Sequence, residues 1–172
     1  MAEARTPLRP PARPAPLLEL RLLAEPFEPL TALAAWQARL AELPGGAPAA
    51  ESQFIGRVRG RGADGALLEA LELEHYPGMT EGCIGALAAA SAERHGAAAV
   101  LVWHRIGRVL PGEAIVLVAI AADRRGPAQR SGQELLEALK HEAPFWKREW
   151  SGGRGSWVEG NTPLADGAAA DP

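Results

Sequence analysis

The chain has 172 residues, enough for one domain with a real core and too few for two comfortable ones. Hydrophobic content of 47% and charged content of 23% are ordinary globular values, and a formal net charge of -3 supplies no overall field toward nucleic acid or an anionic membrane. A single cysteine, Cys83, excludes an intramolecular disulfide and points to a reducing compartment. No apolar run approaches the roughly 20 residues that span a bilayer, and the N-terminus lacks the apolar stretch of a secretory signal. The expectation is a cytoplasmic protein.

Residues 1–16 are rich in proline and arginine, and residues 162–172 are rich in alanine and glycine; both are expected to be disordered tails around one domain at 17–161. Within it, Leu17 to Leu23 reads as a strand. Pro29 opens a helix with Leu33, Trp36, Leu40 and Leu43 on one face, closed by Pro44-Gly45-Gly46. Ser52 to Arg59 reads as a strand, and Gly60, Gly62 and Gly65 mark a connection able to form a loop over a pocket. Leu71 to Glu74 alternates with the period of a half-exposed strand.

Tyr76-Pro77-Gly78 is turn chemistry before a helix for which Thr80 is the candidate N-cap and Glu81 lies in the first turn. Ile84, Leu87 and Ala88 form its inward face, and Gly96 ends it. Val100 to Ile106 and Ile115 to Ala121 are apolar strands joined through Pro111-Gly112 as a hairpin. A last helix runs from about Ala128 to His141 with Leu135, Leu136 and Leu139 buried. Pro144 stops it, and Trp157-Val158 adds a short final strand. The sum is an α+β single domain with a mostly antiparallel sheet and packed helices.

Four blocks carry a family likeness: Phe54-Ile55-Gly56-Arg57-Val58-Arg59; Leu73-Glu74-His75-Tyr76-Pro77-Gly78-Met79-Thr80; His104-Arg105-Ile106-Gly107 followed by Pro111-Gly112-Glu113; and Lys140 followed by Ala143-Pro144-Phe145-Trp146-Lys147-Arg148-Glu149 and Trp157-Val158-Glu159. In this order and spacing they resemble the catalytic (large) subunit family of molybdopterin synthase. The resemblance implies an α/β-hammerhead-like core and a sulfurtransferase of molybdenum cofactor biosynthesis. Such an enzyme converts cyclic pyranopterin monophosphate to molybdopterin, forming its dithiolene. The sulfur comes from the thiocarboxylated C-terminus of a small ubiquitin-like subunit, whose tail threads into a pocket of the large one. The implied assembly is a homodimer of large subunits with a small subunit at each end, a heterotetramer.

Matched residue by residue, the likeness makes Lys140 and Lys147 catalytic. It places Arg57, Val58, Arg59, Arg124, Arg125, Arg148 and Glu149 in substrate binding, with Arg124 and Arg125 supplied across the dimer interface. The chemistry suits these types. Two anions, a substrate phosphate and a thiocarboxylate, must approach each other, so the pocket must supply cations. Arginine forks phosphate with paired hydrogen bonds, and lysine is a point charge whose pKa falls when buried or crowded. The family pair usually reads His-Arg where this chain has Arg124-Arg125, so that position keeps charge and loses an imidazole. A basic residue expected just after Glu159 is replaced by Gly160-Asn161. These two departures motivate the alternative of a catalytically reduced paralogue acting as a scaffold.

Other signals carry less. Cys83 sits among helix residues and reads as an ordinary helix cysteine. His75, His95, His104 and His141 lack metal-ligand spacing, so no metal and no cofactor are expected, and His104 reads as a structural residue at a strand end. Phe145-Trp146, taken without the likeness, reads as core or interface packing.

Overall fold

In the computed structural model, which describes residues 14–62 and 64–158, eight strands and three helices alternate. They are β1 (Leu17–Leu23), α1 (Pro29–Ala41), β2 (Ala50–Arg57), β3 (Ala70–His75), α2 (Met79–His95), β4 (Ala99–Arg105), β5 (Gly107–Val109), β6 (Ala114–Ala122), α3 (Arg125–His141), β7 (Phe145–Ser151) and β8 (Arg154–Trp157). The strands form two four-stranded sheets, ordered β1-β4-β6-β2 and β5-β3-β7-β8. Every pairing is antiparallel except β1 with β4. The α+β expectation stands. Both proposed tails lie outside the described residues, apart from 14–16, which carry no regular structure.

The first sheet is buried on both faces, which is why β4 and β6 read as continuous apolar runs. Strand alternation sends Ala99, Leu101, Leu117, Ala119 and Ala121 to one side, against Ala32, Leu33, Trp36 and Leu40 of α1. Val100, Val102, Val118 and Ile120 go to the other, against Ile84, Ala88 and Ala92 of α2 and Leu135 and Leu139 of α3. Where α2 crosses α3, Ser91 donates to the Ser131 carbonyl at 3.0 Å and its hydroxyl lies 2.9 Å from that of Ser131. That pairing satisfies polar atoms that burial would otherwise penalise.

Several boundaries differ from the sequence reading. Strand β2 ends at Arg57, so Val58 and Arg59 lie just past it. The register slips between Gly56 and Arg57, and a Cβ on Gly56 would stand 2.8 Å from Val116 Cγ1. A bulge at that close approach bends the strand away from its partner. Helix α2 begins at Met79, capped at Gly78, whose N–H donates to Glu81 Oε2 at 2.7 Å. Thr80 is therefore not the N-cap but a buried residue of the first turn, and its Oγ1 accepts the Tyr76 N–H at 3.1 Å. Leu136 is half-buried. The connection at 60–68 is tied back by the Arg61–Leu67 bridge and by Arg61 Nη1 donating to the Gly65 carbonyl at 2.7 Å.

Two further differences decide where the site lies. Strands β4 and β6 do pair, but the link between them is no simple hairpin. At Gly107, with φ of 70°, the chain leaves the first sheet and β5 pairs with β3 in the second. And 145–151, unassigned in the sequence, is strand β7, the link between β3 and β8. Its run Phe-Trp-Lys-Arg-Glu-Trp-Ser puts charge and aromatic surface on both faces, so no apolar alternation announces a strand.

A buried guanidinium secures the sheet exchange. Arg105 is 2% exposed. Its Nη2 donates to the carbonyls of Ala24 and Arg108, both at 3.0 Å, and its Nη1 meets Glu113 Oε2 at 3.3 Å. The same carboxylate oxygen accepts the Leu110 N–H at 2.9 Å. Removing one partner of such a pair strands the other charge. We expect Glu113→Ala to destabilise the domain by roughly 3 kcal/mol, measured by urea unfolding; a loss under about 0.5 kcal/mol, the level of an ordinary surface substitution, would show that the clamp does not hold the junction.

Candidate active site

The bulge, the start of β6, the end of α3 and strand β7 surround a cavity of about 830 Å³ between the two sheets. Its apolar wall includes Val58, Leu68, Leu71, Ile115, Val116 and Phe145. Its charged lining is Arg57, Arg59, Lys140 and Lys147 against Glu137 and Glu149, four basic side chains to two carboxylates. A chain of net charge -3 thus concentrates positive charge at one concave place. An anion entering it is met by fixed charges on partly apolar walls, where the interaction is stronger than in open water.

Each residue arrives there for a local reason. Lys140 lies in the last turn of α3, where a cation also complements the helix dipole. The chain then breaks at Ala143-Pro144 and returns as β7, whose alternation turns Phe145, Lys147 and Glu149 to the inner face. Arg57 donates from Nη1 to the Gly112 carbonyl at 3.1 Å, which anchors its side chain beside the turn before β6. Val58 is held through its backbone: its N–H donates to the Glu113 carbonyl and its carbonyl accepts the Gly112 N–H. Arg59 follows on the exposed rim.

The electrostatics follow from this crowding. Lys147 is half-buried, and burial first, then the neighbouring Lys140 charge, lowers its pKa from 10.5. Both effects disfavour the ammonium, so neutral amine is more available than in a free lysine. His104 also lines the cavity, although its sequence pointed to a structural role. Its ring stacks on Phe145 at 4.2 Å and 15°. Burial lowers its pKa to about 4, opposed by a hydrogen bond to the Arg105 carbonyl and assisted by the Lys147 charge. The only sequence signal for it was its place in the His104-Arg105-Ile106-Gly107 block.

Three expected site residues are elsewhere. Arg148 projects from the opposite face of β7 to Lys147. There it bonds Glu74 at 3.0 Å, lies 3.7 Å from Glu72, and covers the Trp157 ring at 4.1 Å. It braces the outer face of the second sheet because strand alternation separates neighbours. Arg124 and Arg125 are exposed at the start of α3, with Arg124 as N-cap. Fifteen residues at roughly 1.5 Å each put Arg125 about 22 Å along the helix from Lys140. No cluster of three or more histidine, cysteine or acidic residues able to hold a metal occurs among the described residues.

The crowding of the two amines has a measurable consequence. Lys140→Gln removes a neighbouring charge, so the Lys147 titration midpoint should rise, as read by NMR of ε-13C-labelled lysine. An unmoved midpoint would show that the two amines do not share a field.

Comparison with known proteins agrees with this architecture. The family model described as MoaE protein matches residues 28–142. The molybdopterin synthase catalytic subunit of Ralstonia nicotianae is 41% identical over 124 residues, 71% of this chain and 70% of that protein. The solved molybdopterin biosynthesis MoaE protein from Burkholderia ambifaria superposes with a TM-score of 0.67 at 37% identity, covering 87% of this chain and 94% of that one. A complex of subunits 1 and 2 of molybdopterin-converting factor from Helicobacter pylori shares the fold, with a TM-score of 0.68 at 19% identity over 81% of this chain and 90% of that one. On the family match and the extent of these likenesses, the chain belongs to the MoaE protein family.

Proposed function

We propose that this protein is the catalytic subunit of a molybdopterin synthase, a sulfurtransferase that builds the dithiolene of molybdopterin from cyclic pyranopterin monophosphate. The observation that carries the proposal is the pairing of Lys140 and Lys147 in one cation-rich cavity. Curated relatives named molybdopterin synthase catalytic subunit support it. The sulfur donor is the thiocarboxylated C-terminus of a small ubiquitin-like subunit, which enters the cavity as an extended tail, a form of terminal-carboxylate capture. The retained Arg57, Arg59, Lys140 and Lys147 favour this reading over the scaffold alternative that Arg124 and Gly160-Asn161 motivate. No helix among the described residues is long and apolar enough to cross a membrane. The lone, unpaired Cys83 suits a reducing cytoplasm.

Two anions must meet for sulfur to move. Lys140, Arg57 and Arg59 offset the repulsion between thiocarboxylate and substrate phosphate. Lys147, whose pKa burial and the Lys140 charge lower, gives up a proton at Nζ more readily than an ordinary lysine. Glu149, on the same face of β7, orients the polar edge of the substrate. Arg124 and Arg125 serve the cavity of the second protomer, because a 17-residue helix separates them from Lys140 of their own. The shared site makes the homodimer necessary for activity, and with a small subunit on each protomer the assembly is a heterotetramer.

Single-turnover conversion of cyclic pyranopterin monophosphate by the complex with thiocarboxylated small subunit tests this. Lys140→Ala should slow conversion by about 10²-fold or more while small-subunit affinity is kept; conversion at the wild-type rate would remove Lys140 from the chemistry. Mixed dimers of Lys140→Ala with Arg125→Ala chains contain one intact composite cavity and should recover activity that neither variant has alone. Failure to recover would place Arg125 outside the partner's site.

A further inference from the structure

We infer that His104 is a positioning residue for Lys147: a neutral, single-tautomer imidazole whose Nε2 accepts from the lysine side chain and sets where its amine stands in the cavity. The inference rests on the sulfur-transfer reading for its consequence, but its geometry is independent of it.

The ring is buried and fixed by two contacts. It is 9% exposed, at the end of β4 where the chain is about to leave the first sheet. One face lies flat on Phe145, two residues before Lys147 on the same side of β7. Its Nδ1 is 2.7 Å from the Arg105 carbonyl oxygen. A carbonyl only accepts, so Nδ1 carries the proton. In the neutral ring Nε2 is then a bare lone pair, and it is the polar edge left to face the cavity that His104 lines. Lys147 lines the same cavity, two residues on from the Phe145 ring that His104 stacks against.

The surroundings keep the imidazole neutral. Burial opposes its protonation, and so does the Lys147 charge. A charged imidazole would repel both lysines; a neutral one adds no charge to a crowded cavity and offers an acceptor where cations predominate. The acceptor stabilises the ammonium of Lys147, against the burial and the Lys140 charge that lower its pKa. His104 therefore limits how far the amine's pKa falls and restricts where the flexible side chain can reach. The Arg105 clamp one residue on fixes the backbone that holds the ring.

Three variants separate this role from simple packing. His104→Phe keeps an aromatic ring on Phe145 and loses both polar edges. His104→Asn retains a donor near the Arg105 carbonyl and lacks the acceptor at the position of Nε2. His104→Gln reaches that position with an amide oxygen. Two readouts are needed: the Lys147 titration midpoint by NMR of ε-13C-lysine in the chain alone, and the single-turnover rate of the complex with thiocarboxylated small subunit.

The expected result for Phe and Asn is a Lys147 midpoint lower by about half a pH unit or more and a rate reduced by about 10²-fold, with small-subunit affinity unchanged. Gln should return both to within a few-fold of wild type. The inference is overturned if the midpoint stays put in Phe and Asn, whatever happens to the rate, since a rate loss alone would mean packing. A shifted midpoint in a protein whose wild type converts no substrate would uphold the positioning and refute the sulfur-transfer reading. If His104→Phe does not fold, the contrast between Asn and Gln decides.

Discussion

The guanidinium of Arg105 sits where the two sheets become one structure. A strand that leaves one sheet and joins another exposes backbone carbonyls at the crossing, and buried carbonyls need donors. Arg105 supplies them to Ala24 beyond β1 and to Arg108 in β5, while Glu113 answers its charge. One side chain thus ties together the end of β1, the β4–β5 link and the turn into β6. The cavity is walled by Val58, whose backbone bonds Gly112 and Glu113 of the same turn, and by Ile115 and Val116.

The cavity brings like charges together. Lys140 and Lys147 raise each other's energy, and the burial of Lys147 adds to it. Since folding lowers the Lys147 pKa below 10.5, the folded chain binds that proton less tightly than the unfolded one. The group opposes folding below its lowered pKa and ceases to do so as pH rises toward its unfolded value. The three-layer packing of α1, the first sheet and the α2–α3 pair supplies the compensating stability well away from the site. Separating a strained site from a dense core is a general solution to the conflict between stability and activity.

Much of the fold was readable because its signals are local. The apolar runs of β4 and β6, the amphipathic face Leu33-Trp36-Leu40 of α1 and Gly96 at the close of α2 each follow from the chemistry of a few neighbouring residues. Strand β7 escaped because its residues serve three surfaces at once: Phe145 under His104, Lys147 in the cavity and Arg148 against Glu72 and Glu74. Thr80 misled because its hydroxyl bonds the Tyr76 N–H, before the cap, a choice that only the buried turn explains.

By itself the amino-acid sequence determined the family and the secondary elements of the core, and it singled out Lys140 and Lys147, because motifs and periodicity are properties of neighbouring residues. It placed Arg148 beside Lys147 as if adjacency meant shared duty. Tertiary structure decided otherwise, since a strand turns successive side chains to opposite faces. It also separated Arg124 and Arg125 from Lys140 by the length of α3, and brought His104, more than forty residues before Lys147, to the same cavity wall. Which charges share a field is a matter of distance in space, and that distance is set by the exchange of strands that Arg105 secures.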